Sequence, residues 1–227
     1  SLECHDIVCK IGDIVVVGGV RRSALISLSN LSDQRMRDAK SGEWWMITPH
    51  RQLANNSVAY TETPEVGQFM EEWLSLYQSK SGERGIFNRQ AAIAKAAENG
   101  RRITQYANGN PIDFGTNPCG EILLRSKQGC NLSEIIARKD MTEAQLIEAV
   151  RNATILGTWQ STLTNFRYLT KKWKDNCEEE RLLGVSLTGM MDHEILSGKQ
   201  GLGIMGELLE FLKNDIAIPT NKEWADR

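Results

Sequence analysis

The segment with the clearest potential for chemistry is Asn117-Pro118-Cys119-Gly120-Glu121, in which a thiol stands between a carboxamide and a carboxylate. If the segment is extended, side chains at alternate positions project on the same side, which groups Asn117, Cys119 and Glu121 around one point. Pro118 restricts its own φ and Gly120 permits close approach of the backbone, so the group would be rigid. The alternative interpretation is a buried thiol in a turn, with Glu121 solvated.

Cys130 lies eleven residues after Cys119, in the sequence Gly129-Cys130-Asn131. A chain that leaves a strand and returns can bring two such positions side by side. Cys130 would then be a redox thiol facing the same cavity as Cys119, and a buried structural cysteine is the alternative. The spacing does not match the short pairs of zinc ligands, so the sequence predicts no metal site.

Two further polar segments have the composition of ligand-binding loops. The first combines a Gly-Gly turn with two arginines, whose planar guanidinium groups suit phosphates or bases. The second offers amide and hydroxyl groups for a ribose or a phosphate, although ordinary solvated turns would have the same composition. The candidate residues are Gly18, Gly19, Arg21, Arg22 and Ser23 in the first segment, and Asn55, Asn56 and Ser57 in the second.

The elements that must position these residues alternate between strands and helices, which predicts an α/β fold. Strands are predicted at 13–17, 24–28, 86–88, 122–124 and 182–187, and helices at 66–78, 91–97, 142–156, 160–172 and 206–214. The first strand is expected to be buried, because its residues are β-branched. Phe69, Trp73 and Leu76 would form the buried face of the helix at 66–78. Thr142 and Gln145 have the spacing of a capping box.

Composition excludes several classes of protein. The 227 residues carry a formal net charge of −2, which argues against a broad nucleic-acid-binding surface. The longest apolar run, at residues 14–17, is far too short to cross a membrane. The first residues do not form a signal peptide, and the chain has five cysteines, an odd number. These features predict reduced thiols and a cytoplasmic protein.

Six motifs, taken together and in order, resemble the catalytic subunit of ribonucleotide reductases, and most closely the adenosylcobalamin-dependent class. The motifs lie at 17–24, 54–58, 81–88, 115–121, 130–132 and 183–189. The resemblance implies a ten-stranded α/β barrel of two half-barrels, with a central catalytic finger loop. Residues 1–227 would then be an incomplete part of the catalytic barrel domain, truncated at both ends.

The resemblance also implies a reaction, the reduction of a ribonucleotide to a deoxyribonucleotide for DNA synthesis. Cys119 would form a thiyl radical that takes the 3′ hydrogen of the ribose. Glu121 matches the base for the 3′ hydroxyl, and Asn117 matches an amide that makes hydrogen bonds within the site. Cys130 matches one of two thiols that supply the reducing equivalents when the 2′ hydroxyl leaves as water.

Partners and cofactor follow from the same resemblance. They are a ribonucleotide substrate, a deoxynucleotide effector, a thioredoxin-like reductant and adenosylcobalamin, the last bound mostly by parts outside these residues. The loop from Gly18 to Ser23 matches a mobile loop between the effector site and the substrate base, so Arg21 and Arg22 would sense the bound nucleotide. Gly115 and Thr116 are counted among the nucleotide-binding residues. The second reducing cysteine of the family has no counterpart here, so the chain alone is expected to be inactive.

Two alternatives remain open at the level of the sequence. The chain could come from the large subunit of a reductase whose radical is generated by a separate metal-containing subunit. It could also be a non-catalytic nucleotide-binding or thiol-switch module, which would have no need of Glu121.

Overall fold

The computed structural model describes residues 1–17, 19–21, 23–98, 100 and 102–227. They divide into two compact units, Ser1–Ser126 and Lys127–Arg227. Each unit combines helices with parallel strands, so the α/β class predicted from the sequence is confirmed. Within the described part of the chain, no helix has both the length and the apolar character needed to cross a membrane.

The first unit is built around a parallel sheet. Its helices are α1 (Leu2–Asp13), α2 (Gln34–Arg37), α3 (Trp44–Ile47), α4 (Val66–Ser79) and α5 (Arg89–Glu98), with a 3₁₀ segment at Pro49–Leu53. Its strands are β1 (Val16–Val17), β2 (Val20–Arg21), β3 (Leu25–Ser29), β4 (Ala54–Tyr60), β5 (Gly85–Asn88), β6 (Gly115–Thr116) and β7 (Leu123–Leu124). The parallel sheet has the order β3-β4-β5, while β1 with β2 and β6 with β7 form antiparallel pairs.

β4 is the central strand of the parallel sheet, and it buries most of its side chains. The register places Asn55 beside Ile26 of β3, and Ser57 beside Gly85 of β5. A side chain at position 85 would meet Ser57, because a Cβ there would lie 2.9 Å from the Ser57 hydroxyl. Because glycine has no side chain, β4 and β5 can pair at this position, where the Ser57 hydroxyl lies close to Gly85.

The buried strand predicted at residues 13–17 is wrong in both extent and burial. α1 continues to Asp13, and the amide of Ile14 donates to the carbonyl of Ile11 at 3.3 Å, which extends the last helical turn. Ile14 is accordingly 79% exposed. Only Val16–Val17 pairs as a strand, with Val20–Arg21, because the helix uses the residues that a longer strand would need.

α4 occupies the predicted residues but buries a glutamate, while the aromatic residues of its predicted buried face, Phe69 and Trp73, are exposed. The Glu72 side chain is only 1% exposed. Arg84 donates to its two oxygens at 2.5 and 2.9 Å, and Arg37 donates at 3.1 Å. Burial by itself would raise the pKa of Glu72, but the hydrogen bonds and charges of both arginines lower it below its ordinary value. The ionised carboxylate therefore fixes α4 to the segment that leads into β5.

α1 is attached to the 3₁₀ segment by another ion pair. Arg51 donates from Nε and Nη2 to the two carboxylate oxygens of Asp6, at 2.7 and 2.6 Å. These hydrogen bonds lower the pKa of Asp6 from 3.8 to about 2, with a smaller contribution from His5 and against the effect of burial. A third donor of Arg51 binds the carbonyl of Ala39 at 2.7 Å, so one guanidinium joins three segments of the first unit.

The second unit contains a parallel pair of strands packed against a long helix. Its elements are β8 (Asn131–Ile136), α6 (Glu143–Gln160), α7 (Lys171–Glu180), β9 (Leu183–Thr188), α8 (Leu202–Phe211), a π-helical segment (Leu212–Ala217) and α9 (Ile218–Ala225). The main core cluster includes Leu146 and Val150 of α6, which pack with Ile135, Leu196 and Leu212. The capping box is confirmed, because the amide of Thr142 donates to Gln145 at 2.9 Å and the amide of Gln145 donates to Thr142 at 3.3 Å.

The helix predicted at residues 160–172 is wrong. α6 continues to Gln160, a series of turns follows, and α7 begins only at Lys171. Leu163 is 72% exposed and Tyr168 is 98% exposed, so these two large side chains gain little from packing. Most of the stability of a short helix comes from tertiary packing, and without it this segment does not form one.

The buried Glu72–Arg84 pair gives a test of stability. In an Arg84→Met variant, Glu72 keeps only Arg37, and we expect the free energy of unfolding to fall by about 3 kcal/mol or more, because a buried charge is left incompletely paired. Urea denaturation measures this change. Glu71→Gln is the matched control, since the neighbouring Glu71 is 70% exposed and its loss should cost less than about 1 kcal/mol. Equal stability of the two variants would contradict the proposed importance of the pair.

The Asp6–Arg51 pair gives a test of pH dependence. The pKa of Asp6 is depressed in the folded state, so the pair stabilises the fold fully above pH 3.8 and loses its effect as the pH falls toward about 2. We therefore expect the thermal midpoints of the original chain and of Asp6→Asn to converge over this range. The exposed Asp226 provides the control, because Asp226→Asn should leave the acid dependence unchanged. A constant gap between the midpoints would show that the pair is not the cause.

Candidate active site

The predicted catalytic segment forms the tight loop between β6 and β7. The amide of Gly120 donates to the carbonyl of Asn117 at 3.0 Å, which closes a β-turn with Pro118 in its second position. Gly120 has a φ of +88°, in the left-handed region that glycine adopts most readily. Cys119 therefore lies at the tip of a turn, where its side chain is exposed.

The sequence analysis assumed an extended segment, in which the side chains of Asn117, Cys119 and Glu121 would project to the same side. The structure has a turn in its place. The physical reason is local, because a proline followed two residues later by glycine favours a turn over a strand. Glu121 follows the turn and is exposed. The assignment of these three side chains to one reacting centre stays a prediction.

Two asparagines hold the turn in place. The side-chain oxygen of Asn117 accepts from the amide of Ile122 at 3.0 Å and from the hydroxyl of Thr116 at 3.4 Å, so it closes the base of the loop. The side chain of Asn55, on β4, donates to the carbonyl of Pro118 at 2.7 Å. The position of Cys119 is thus determined both by its own loop and by the central strand of the sheet.

A cavity of about 370 Å³ lies between the cysteine turn and the parallel sheet, within the first unit. Five residues predicted from the sequence are among those that line it: Asn55, Asn56, Ser57, Thr116 and Cys119. The side chains of Asn55, Ser57, Thr116 and Cys119 bring an amide, two hydroxyls and a thiol to this region, which suit a polar ligand of the size of a nucleoside. The structure therefore brings together two segments that the sequence could only propose separately.

Glu83 also lines this cavity, and the sequence analysis did not select it as a functional residue. One oxygen of its carboxylate accepts from Lys40 at 2.8 Å, and the other accepts from the amide of Asn56 at 2.8 Å. The Lys40 side chain is only 4% exposed and also donates to the carbonyl of Ala54. The sequence signal was a glutamate between glycines directly before a strand, which resembles an ordinary flexible loop.

His5 is a second residue that sequence reasoning missed, because it stands far from any other motif. Its ring nitrogen Nε2 lies 2.9 Å from the side-chain oxygen of Asn56, and both residues are buried. The other ring nitrogen lies 3.1 Å from the carboxylate of Asp6. His5 therefore connects α1 to Asn56 of β4 and helps to fix the position of this strand beside the cavity.

The predicted effector loop does not join this cavity in the described residues. Gly18 and Arg22 lie outside the part of the chain that the structure describes, as does the side chain of Arg21. Gly19 occupies the turn between β1 and β2 with a φ of +76°, and the hydroxyl of Ser23 donates to the carbonyl of Gly12 at 2.7 Å.

Gly115 and Cys130 are not among the residues that line this cavity. Gly115 pairs with Leu124 in the short hairpin. Cys130 belongs to the second unit, where it directly precedes β8 and lines a cavity of about 230 Å³. A role for Cys130 at the same reacting centre as Cys119 stays a prediction. Among the described residues, no group of three histidines, cysteines or carboxylates is placed to hold a metal ion.

The first unit thus presents an exposed cysteine on a braced turn beside a polar cavity. No family model matches the chain. Curated relatives do match, and several carry the name adenosylcobalamin-dependent ribonucleoside-triphosphate reductase. The relative from Lacticaseibacillus paracasei is 29% identical over 194 residues, which cover 85% of this chain and 24% of the relative.

Two further relatives carry the same name. The protein from Lactobacillus delbrueckii subsp. bulgaricus is 30% identical over 202 residues, covering 85% of this chain and 25% of the relative. The protein from Lactobacillus acidophilus is 30% identical over 235 residues, covering 100% of this chain and 30% of the relative. The resemblance inferred from the motifs is confirmed, and the chain spans about a quarter of the length of the first of these relatives.

The bracing of the cysteine turn can be tested by hydrogen exchange. In an Asn117→Ala variant the amide of Ile122 loses its side-chain acceptor, which should cost about 1 kcal/mol locally. We expect this amide to exchange roughly fivefold faster, as measured by NMR. Asn108→Ala is the control, because Asn108 closes a different exposed turn through the amide of Asn110. Unchanged exchange at Ile122 would show that the asparagine does not hold the loop.

Proposed function

We propose that this chain carries the radical cysteine of an adenosylcobalamin-dependent ribonucleoside-triphosphate reductase. The observation that carries the proposal is the position of Cys119, at the tip of a braced turn beside a cavity of about 370 Å³ lined by amides and hydroxyls. The names and coverage of the curated relatives support the same reaction class. The substrate is a ribonucleoside triphosphate and the product is the corresponding deoxyribonucleotide, which serves DNA synthesis in the cytoplasm.

The chemistry assigns a separate task to each residue of the motif. A radical on the Cys119 sulfur takes the 3′ hydrogen of the ribose, because sulfur can carry an unpaired electron. Glu121 accepts the proton of the 3′ hydroxyl as the radical develops. Asn117 holds the turn that presents the thiol. The 2′ hydroxyl leaves as water, and Cys130 with a second thiol supplies two electrons by forming a disulfide.

The cavity supports the binding of the nucleoside part of this substrate. Asn55 and Ser57 contribute polar groups from the sheet, and Thr116 contributes a hydroxyl from the cysteine hairpin. Lys40 pairs with Glu83, so the carboxylate at the cavity carries a compensating positive charge that reduces repulsion of an anionic nucleotide. These groups orient the ribose and replace water around it.

The exposed thiol of Cys119 fits a radical initiator that approaches from outside the nucleoside cavity. A cavity of about 370 Å³ suits a nucleoside and is too small for a corrin, so we propose that other parts of the reductase hold most of the cofactor. Adenosylcobalamin, when bound, supplies the unpaired electron. The residues of this chain keep the sulfur in place and hold the ribose beside it.

The proposed function includes a barrel fold for the complete reductase. Residues 1–227 form part of a ten-stranded barrel of two half-barrels, with the loop of Cys119 as its central finger. The parallel pairing of β3 with β4 and of β8 with β9 supports this arrangement. A deoxynucleotide effector acts through the loop at residues 18–23, and a thioredoxin-like protein restores the oxidised thiols.

The base is tested by Glu121→Gln in the complete reductase that contains residues 1–227. We expect the rate of ribonucleoside triphosphate reduction with adenosylcobalamin to fall by about 10²- to 10⁴-fold, because the amide cannot accept the proton. Nucleotide binding, measured by calorimetry, should be retained. Glu62→Gln is the matched control, since Glu62 is exposed and far from the motif in sequence.

The outcomes separate the alternatives. Undiminished turnover in Glu121→Gln would contradict the catalytic assignment. Nucleotide binding without any reduction by the original complete protein would favour a non-catalytic module. Turnover that requires a second, metal-containing subunit and ignores adenosylcobalamin would favour the other class of reductase.

A further inference from the structure

The segment that leads into Cys130 is attached to α7 by hydrogen bonds. The side chain of Gln128 donates to the carbonyl of Asn176 at 3.3 Å and to the carboxylate of Glu180 at 2.5 Å. The side chain of Asn176 donates in return to the carbonyl of Lys127 at 3.3 Å. Residues 127 and 128 are therefore held against one face of α7 directly before the chain reaches Cys130.

Cys177 lies on α7 next to Asn176, and its sulfur touches the same segment. The amide of Gly129 donates to the Cys177 sulfur at 3.2 Å, and the thiol donates weakly to the carbonyl of Gly129 at 3.9 Å. Gly129 and Cys130 are consecutive, so their Cα atoms are about 3.8 Å apart. The Cys177 sulfur thus contacts the peptide unit that joins Gly129 to Cys130.

Both cysteines line the same cavity of about 230 Å³ in the second unit. Cys177 is 8% exposed and Cys130 is half-buried, and the cavity gives space beside the two side chains. Nothing in the catalytic assignment uses Cys177, and the catalytic chemistry needs Cys130 as a reduced thiol. Cys177, which has no assigned role in the reaction, therefore lines the same cavity as Cys130, whose oxidation state decides activity in the proposed function.

We propose that Cys130 and Cys177 form a reversible disulfide, which acts as a redox switch on the thiol that serves the reaction. The consequence for activity rests on the proposed function, whereas the disulfide itself does not. A low-molecular-weight disulfide is the oxidant. One thiolate attacks it to give a mixed disulfide and one released thiol, and the second cysteine then displaces the other thiol. Two protein thiols become one disulfide, and one oxidant disulfide becomes two thiols.

Forming the bond requires the two cysteine side chains to rotate toward each other. A disulfide needs Cα atoms about 4.4–6.8 Å apart and side chains that point toward each other. The contact of the Cys177 sulfur with the Gly129 carbonyl places it beside the backbone of Cys130. Cys177 lies near the end of α7, and Cys130 precedes β8, so side-chain rotation at both positions can occur without breaking a ladder of strand hydrogen bonds.

The disulfide is tested by incubating the full chain with oxidised glutathione, trapping remaining thiols by alkylation and mapping peptides by mass spectrometry. We expect a peptide pair joined through Cys130 and Cys177, with a mass lower by two hydrogens, that dithiothreitol separates. Cys177→Ser should instead accumulate glutathione on Cys130. Cys4→Ser is the matched control, since Cys4 is exposed in the first unit and its loss should leave the cross-link intact.

Glutathione on Cys130 of the original chain, with Cys177 alkylated and no joined peptide, would overturn the proposal. That result needs no variant, so misfolding of Cys177→Ser cannot obscure it. In the complete reductase we expect oxidised glutathione to lower turnover in proportion to the cross-linked fraction, and dithiothreitol to restore it. A cross-link in a protein that never reduces nucleotides would refute the proposed function and leave the disulfide standing. Turnover that persists in a fully cross-linked protein would overturn the switch.

Discussion

The register of β4 between β3 and β5 is the constraint on which the candidate active site depends. It places the amide of Asn55 where it binds the Pro118 carbonyl of the cysteine turn, and it sets Ser57 against Gly85. A slip of one residue would turn the side chains of β4 to the opposite faces of the sheet. The cavity would lose its polar lining, and the turn that carries Cys119 would lose its support from the sheet.

Buried ion pairs keep that register in the first unit, where the apolar clusters are small. One apolar cluster consists of Cys9, Leu53 and Ala54, and another consists of Ala96, Ile112 and Phe114. Polar contacts attach the remaining elements: Lys40 to Glu83, Arg51 to Asp6, and Arg84 with Arg37 to Glu72. Such pairs add little net stability over a well-packed apolar core, but removing one partner is costly because the other charge is left buried without compensation.

The second unit is organised differently. A larger apolar cluster between α6, β8, β9 and the C-terminal helices holds it together. The polar contacts of Gln128 and Asn176 are concentrated where the chain enters β8. This local set of hydrogen bonds brings the thiol of Cys177 to the segment of Cys130, so one contact surface serves both the entry into the strand and the proposed redox switch.

The sequence by itself determined the features that depend on neighbouring residues. The capping box of Thr142, the turn-forming residues around Cys119 and the strands that became β3, β5 and β9 could all be predicted from the local sequence. The tertiary structure decided what depends on distant partners. Glu72, rather than Phe69, is buried because two arginines from elsewhere in the chain neutralise it, and Glu83 reaches the cavity because parallel pairing brings β5 beside β4. Periodicity reports which face of an element is apolar, but burial of a charge is favourable only when a distant partner compensates it, and only the folded chain supplies that partner.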